Sequence, residues 1–376
     1  MKTLCLVFLA LFAGAGLGVD DDAPTCRKCD STGMRACKKH PKDECSLEAG
    51  ALYCSAFDDC EVCAGLGFVD CEKCENESAA KELERRAQEK AKRREKLKWI
   101  DDEMGRPIPK IESKHFVLTW EIESLKVDKK RRNAHELMHI YSDRLETLWT
   151  DYCETMGASN RHFKQKSHVF VWWLPKDQWE ASLRFCQNSG KSGVKLLGAT
   201  PRYSMCGNKQ FAKNDEVLHR TIVHNAVHML LSHHSPSQWI GHIKGGWLDA
   251  GLAHWFEDRY WQRCTNYCYQ EQNTMVDFKG GKYKPAVRKL VAAEKTPSAS
   301  GIFQKNTDNL TPEEHAFAMS YVDYLISIDG KKLSKVAAML KQRKPTRDAL
   351  KAVFGMNPLQ FEERWKAWVL ETYPVR

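Results

Sequence analysis

Between residues 133 and 156, Leu137, Tyr141, Leu145, Leu148, Tyr152 and Met156 recur at three- and four-residue steps. That period predicts a helix with one face on a core. His168 to Leu174 is a continuous apolar run stopped by Pro175, which predicts a buried strand. His115 to Trp120 and Gly198 to Met205 read as a strand and a strand or hairpin, and Asp177 to Gln187 returns to helical patterning. A helix from Leu218 and another from Gly246 follow, then Glu313 to Ile328, Leu333 to Leu340 and Pro358 to Leu370 separated by turns. The mixture predicts an α+β domain over 111–376, with a helical C-terminal lobe from about residue 261. Upstream, 75–105 lacks Gly and Pro until Gly105, and strong helix formers fill 75–98. Its apolar stripe, Ala80, Leu83, Ala87 and Ala91, is thin. The expected element is a charged helical linker exposed to solvent, the sharper alternative being a basic arm for anionic polymer or lipid. Gly105 to Pro109 breaks the helix and marks a boundary.

The N-terminus changes the cellular setting. Lys2 precedes an apolar core from Leu4 to Phe12, and small residues follow. Residues 1–19 therefore read as a secretory signal peptide. Export to a periplasmic or extracellular space is the expectation, with a mature chain that does not span a membrane, because the run is too short. The net charge is +9, but much of the excess lies between Lys81 and Lys98. A nucleic-acid surface is not implied. A protein or a cell-envelope polymer is the expected partner.

Nine of the 15 cysteines crowd between Cys26 and Cys74, which marks a separate module over 26–74. Four pairs stand three residues apart: Cys26/Cys29, Cys37/His40, Cys60/Cys63 and Cys71/Cys74. Such a turn aims two donors at one tetrahedral ion, and two turns close a structural zinc site, so four suit two zinc ions. A disulfide framework is the competing reading that an oxidising compartment favours. Cys45 and Cys54 are left over and could form a disulfide with each other. The segment resembles the cysteine-rich zinc module of J-protein chaperones, whose repeat Cys60 to Gly67 fits in full and Cys26 to Gly33 fits except at Ser31. That resemblance implies that the outer pairs, Cys26/Cys29 and Cys71/Cys74, share one zinc and the inner pairs the other. No J-domain accompanies it, so the expected role is interaction or structure.

The candidate chemistry of the large domain lies between Leu218 and Asp258. His224 and His228 are four apart and share one helical face. Zinc proteases use that spacing in H-E-x-x-H, where the histidines bind metal and the Glu is the general base. Here Asn225 holds the Glu position. Some twenty residues on, Trp247-Leu248-Asp249-Ala250-Gly251-Leu252-Ala253 resembles the W-L-x-E-G-x-A segment of gluzincin (peptidase MA-like) metallopeptidases. The alignment puts Ala250 where that family carries its third zinc ligand. Asp249 is rotated by about 100° around the helix, whereas His254, four residues past Ala250, shares its face. Gly190-Lys191-Ser192 lacks the leading glycine and the feeding strand of a phosphate loop and is set aside.

The resemblance implies a zincin-like (gluzincin) domain whose centre has lost both carboxylates. Asn225 cannot take a proton from a metal-activated water, and loss of the base costs orders of magnitude in rate. The expectation is an exported, non-catalytic gluzincin homologue, a pseudoenzyme acting in binding or envelope interaction. The alternative is an active zinc peptidase with an atypical His224/His228/His254 site, a ligand set zinc accepts.

Overall fold

The computed structural model describes residues 26–39, 50–74, 76–190, 193–208, 214–268, 271 and 277–376. The signal segment, His40, Cys45, Lys191 and Ser192 lie outside them. In the cysteine-rich part, β1 (Met34–Ala36), β2 (Tyr53–Cys54) and β3 (Phe68–Asp70) are short. β1 and β3 pair antiparallel, with Arg35 opposite Val69. α1 (Glu77–Leu97) follows, its first turn capped by the Asn76 side-chain oxygen, which accepts the Ala79 N–H at 3.1 Å. α2 (Trp99–Met104) ends at Gly105, whose φ of 67° favours a residue without a Cβ.

Six strands form the main sheet: β2, β4 (Lys110–Glu112), β5 (Phe116–Trp120), β8 (Ser167–Trp172), β10 (Arg202–Cys206) and β9 (Gly193–Leu196), in that spatial order. β8 lies parallel to β5 and β10, while β9 runs antiparallel along the outer edge. Between β5 and β8 the chain makes a small hairpin, β6 (Ser124–Val127) and β7 (Lys130–Asn133), and then α3 (Ala134–Met156). α4 (Pro175–Cys186) connects β8 to β9.

Period-two alternation makes the sheet two-faced. Phe116, Leu118, Trp120, Val169 and Val171 turn to the larger core, with the α3 stripe of Leu137, Tyr141, Leu145, Leu148, Tyr152 and Met156. Val117, Phe170 and Trp172 turn the other way, onto Leu97, Ile100, Ile108, Ala181 and Phe185. Both faces are thus covered by helices, and the fold is mixed α+β with a mixed sheet.

α5 (Asp215–His233) and α6 (Gly246–Trp261) are central helices, with side chains buried almost without interruption over 222–233 and 246–258. From Ile222 to His233 α5 is enclosed on all sides, its polar side chains His224, Asn225 and His228 included. The remaining helices are α7 (Tyr283–Ala292), α8 (Ala299–Ile302), α9 (Pro312–Lys341), α10 (Thr346–Phe354) and α11 (Pro358–Thr372). α9 is broken at Asp329, whose carboxylate accepts the Lys331 N–H at 3.0 Å and so restarts the helix. α6 is sandwiched between α5 and α9. A Cβ on Gly251 would meet the Ala318 carbonyl oxygen at 2.5 Å, so the motif glycine sets how closely α6 approaches α9.

Two features differ from the sequence expectation. The cysteine-rich part does not stand apart, because β2 pairs with β4 and extends the main sheet (Tyr53 opposite Glu112). α1 is a strut rather than a free spacer. Its Lys90 ammonium donates to the carbonyls of Cys54 (3.2 Å) and Gly65 (2.8 Å) and pairs with Asp58 at 2.8 Å, while Arg93 reaches the buried Glu112 at 3.0 Å. Charge spaced along one helical face looks the same in sequence whether it meets water or a second element. No helix among the described residues is long and apolar enough to cross a membrane.

Candidate metal centres

The first centre lies at the N-terminal end of the described chain. Cys26, Cys29, Cys71 and Cys74 converge, with Cys26 Sγ 3.8 Å from Cys71 Sγ and Cys29 Sγ 3.3 Å from Cys74 Sγ. A disulfide would hold two sulfurs at about 2.05 Å. Four thiolates around a zinc at about 2.3 Å would instead lie about 3.8 Å apart. The β1/β3 pairing brings the two turns together, and the backbone N–H of Cys71 donates to the Gly33 carbonyl at 2.9 Å. Cys37, Cys60 and Cys63 form a second group, with Cys37 Sγ 3.9 Å from Cys60 Sγ. Their sequence partner His40 lies outside the described residues. Hydrogen bonds from backbone amides bring the Cys26 thiol down to about 7 and lower that of Cys60. The hydrogen bond from Cys29 instead pushes Cys74 up to about 12, and burial raises Cys63. In each group one thiol is thus poised toward the thiolate and another holds its proton.

The second centre is built on α5. His224 and His228 point inward one turn apart, with their Nε2 atoms 3.3 Å from each other. Two nitrogens at about 2.05 Å from a tetrahedral ion would be about 3.3 Å apart. The outer nitrogens are held by carboxylates: His224 Nδ1 lies 2.6 Å from Glu257 Oε1, and His228 Nδ1 lies 3.0 Å from Asp249 Oδ1. Each imidazole is thereby fixed with Nε2 facing the other, the arrangement that orients metal-binding histidines.

The donors that complete the group come from the chain after α6. Glu271 Oε2 lies 3.1 Å from His224 Nε2, and Cys268 Sγ lies 3.9 Å from His228 Nε2. One donor atom from each of His224, His228, Cys268 and Glu271 lies within 4.8 Å of the other three, and all four residues are buried. The Cys268 backbone N–H donates to Glu271 Oε2 at 2.6 Å, which binds the two into one unit. Two imidazoles, a thiolate and a carboxylate are a donor set that suits a borderline ion such as zinc, and the spacings fit a tetrahedron.

His254 belongs to the same buried cluster by a different route. Its Nδ1 is 3.2 Å from Glu257 Oε1 and its Nε2 is 3.1 Å from His315 Nδ1, while its ring centroid lies 4.9 Å from that of His224. Ala250 is fully buried in the core and adds no donor. Asp249, one position earlier, turns toward His228 and also accepts from Trp239 Nε1 (2.9 Å) and Thr307 Oγ1 (2.8 Å). Asn225 is held at both ends. Its Oδ1 accepts from Lys195 Nζ on β9 at 2.8 Å, and its Nδ2 donates to the Thr221 carbonyl at 2.8 Å.

Charge at this centre is strongly coupled. Burial opposes every ionised group, yet the imidazole of His224 beside Glu257 outweighs it and holds that carboxyl at about 2. Glu271 is likewise held well below the carboxylate range by His224, and Asp249 is lowered by His228. Burial disfavours a charged His228, but Asp249 pushes it up to about 10. Cys268 is brought down to about 7, burial and Glu271 being outweighed by Lys195 and His228. His315 is driven by burial down to about 3 and stays neutral. A dry pocket with three carboxylates and a polarised thiol attracts either protons onto imidazoles or one dication between them.

No protein-family model matches the chain, and a search of curated proteins finds no match.

Proposed function

We propose that this chain is an exported, non-catalytic zincin-like protein of the gluzincin type, in which zinc is structural and the surface serves to bind a protein or a cell-envelope polymer. The reading rests on one observation: His224, His228, Cys268 and Glu271 converge as four buried donors with tetrahedral spacing. A closed four-donor set is the mark of a structural zinc, whereas a hydrolytic zinc keeps a position for water. Asn225 supports the same reading, since Lys195 and Thr221 occupy its amide and it cannot take up a proton. The alternative peptidase centre of His224, His228 and His254 needs an open fourth position, and Cys268 and Glu271 crowd that position. When bound, zinc would tie α5 to the segment after α6 and neutralise the buried carboxylates. Two further zinc ions are assigned to the cysteine groups near the N-terminus, with His40 as the fourth donor of the Cys37, Cys60 and Cys63 group.

Export is compatible with reduced thiols only where these are metal-bound or out of reach. Cys153, Cys186, Cys206, Cys264 and Cys268 are all buried. Lys195 also lines a cleft of about 660 Å³ beside Leu197, Trp239 and His242, a concave surface on which a partner segment can lie.

Metal analysis of the purified chain, combined with an assay on an unstructured protein substrate, tests the reading. Bound zinc without hydrolysis is expected. Zinc-dependent hydrolysis that disappears in His224→Ala would overturn it.

A further inference from the structure

A further set of donors lies where the cysteine-rich part meets the large domain. Tyr53 and Cys54 are consecutive in β2, so their side chains leave the sheet on opposite faces. Tyr53 enters the smaller core, while Cys54 turns to the face covered by α3. The first two turns of α3 carry His135 and His139, four apart and therefore on one side of the helix. Their Nε2 atoms are 3.0 Å apart, and one ring nitrogen from each lies within 4.8 Å of the other and of the Cys54 sulfur.

We propose that Cys54, His135 and His139 bind a zinc-type transition-metal ion that fastens the cysteine-rich part to α3. The imidazole separation is close to the tetrahedral edge of about 3.3 Å. Phe57, three residues beyond Cys54, packs edge-on against the His135 ring at 4.9 Å between centroids, which steadies the ring. A cavity of about 210 Å³, bordered by Cys54, His139 and Lys90, leaves room for a water or a small exogenous ligand in the fourth position. The ammonium of Lys90 does not oppose a cation there unscreened, because Asp58 pairs with it at 2.8 Å. One thiolate and two imidazoles select a borderline or soft ion such as zinc, whereas magnesium and calcium prefer oxygen donors. The centre is distinct from the buried one on α5 and does not depend on the assignment of that centre.

Consequences follow for how the chain is held together. β2 contributes only two residues to the main sheet, so its pairing with β4 is weakly specified by hydrogen bonds alone. An ion bound by Cys54 and by α3 would cross-link that strand to the domain at a point 81 residues away in sequence for His135.

The test uses the full chain, purified reduced. Alkylation of each cysteine is followed by peptide mapping, without added metal, with zinc, and with magnesium. Zinc is expected to slow labelling of Cys54 at least tenfold, and magnesium to leave it unchanged. Native mass spectrometry of Cys54→Ser, His135→Ala and His139→Ala should each show one zinc fewer than the parent chain. Equal labelling of Cys54 with and without zinc would overturn the proposal. So would an unchanged zinc count in soluble, folded variants, or recovery of Cys54 in a disulfide with Cys45 from unreduced protein. Because the labelling arm uses the unaltered chain, a variant that fails to fold does not remove the test.

Discussion

Replacing Glu257 by Gln probes the buried centre without touching an assigned donor. Glu257 is fully buried and its two oxygens serve five donors. Oε1 faces His224 Nδ1 (2.6 Å) and His254 Nδ1 (3.2 Å), and Oε2 accepts from Thr265 N (3.1 Å), Asn266 N (3.3 Å) and Asn266 Nδ2 (2.7 Å). Glutamine keeps the shape but offers one acceptor. If its oxygen stays on Thr265 and Asn266, its NH2 faces His224 Nδ1 and forces that nitrogen to accept. The proton then moves to His224 Nε2, the nitrogen assigned to the metal. If the oxygen instead stays on His224, the NH2 opposes two backbone N–H groups, each costing about 1–3 kcal/mol when left unpaired. Those groups lie in the segment that carries Cys268. Either outcome weakens the site, and loss of such a supporting carboxylate typically costs about 10–100-fold in metal affinity. That corresponds to about 1.4–2.7 kcal/mol. Competition with a chromophoric chelator measures the affinity. Asp258→Asn is the control, since Asp258 pairs with Lys284 at 2.7 Å. Unchanged zinc affinity in Glu257→Gln, with Asp258→Asn also unchanged, would refute the assignment of His224 as a ligand oriented by Glu257.

Three further outcomes are expected. Asp215, at the start of α5, accepts from Arg144 (2.6 and 2.9 Å) and Tyr141 (2.7 Å), so Asp215→Asn should cost about 1.5–3 kcal/mol in denaturant unfolding at neutral pH. Burial raises its carboxyl, but Arg144 and Tyr141 outweigh that and hold it below its ordinary value. Its stabilisation is therefore present above about pH 3.9, is lost as pH falls through the lower folded value, and should vanish from the acid limb of the variant. Gly251→Ala would press a methyl group against the Ala318 carbonyl at 2.5 Å and should destabilise by about 1–3 kcal/mol, read as a lowered thermal midpoint. Cys26→Ser should remove one zinc by native mass spectrometry, and the parent chain should show no disulfide joining Cys26, Cys29, Cys71 or Cys74; a mass deficit of two protons per pair in that peptide would contradict it.

How much of this was legible in the sequence follows from which signals are local. The α3 stripe, the 168–174 run stopped by Pro175, and the break between the two halves of α9 were readable because periodicity and punctuation are written into consecutive residues. His224 and His228 were readable for the same reason, as a four-residue step on one helix. The edge strand β9 leaves little signal in the sequence, because Gly193 to Leu196 is only four residues long and carries Lys195 among its apolar positions. Nothing local shows that this lysine is buried on Asn225, since the pairing spans 30 residues and needs the sheet in place.

Cys268 and Glu271 are the instructive omission. They stand three apart, the spacing already recognised in the four donor pairs upstream, where repetition within 49 residues made it conspicuous. A single Cys-x-x-Glu with no repeat carries little weight, and carboxylates are too common for one more to draw notice. The gluzincin resemblance points elsewhere, to Ala250 on α6 and, on the same face, to His254. In the fold, α6 is walled in by α5 and α9, and Gly251 brings α9 close enough that a larger side chain on that face has no room. A donor returning from the segment after α6 can reach His224 and His228 from the side that packing leaves available. The carboxylates that remain on α6, Asp249 and Glu257, face the Nδ1 atoms instead and fix the rings. A centre without a donor on the second helix can in this way keep its imidazoles poised, because the orienting carboxylates and the closing donors come from different parts of the chain.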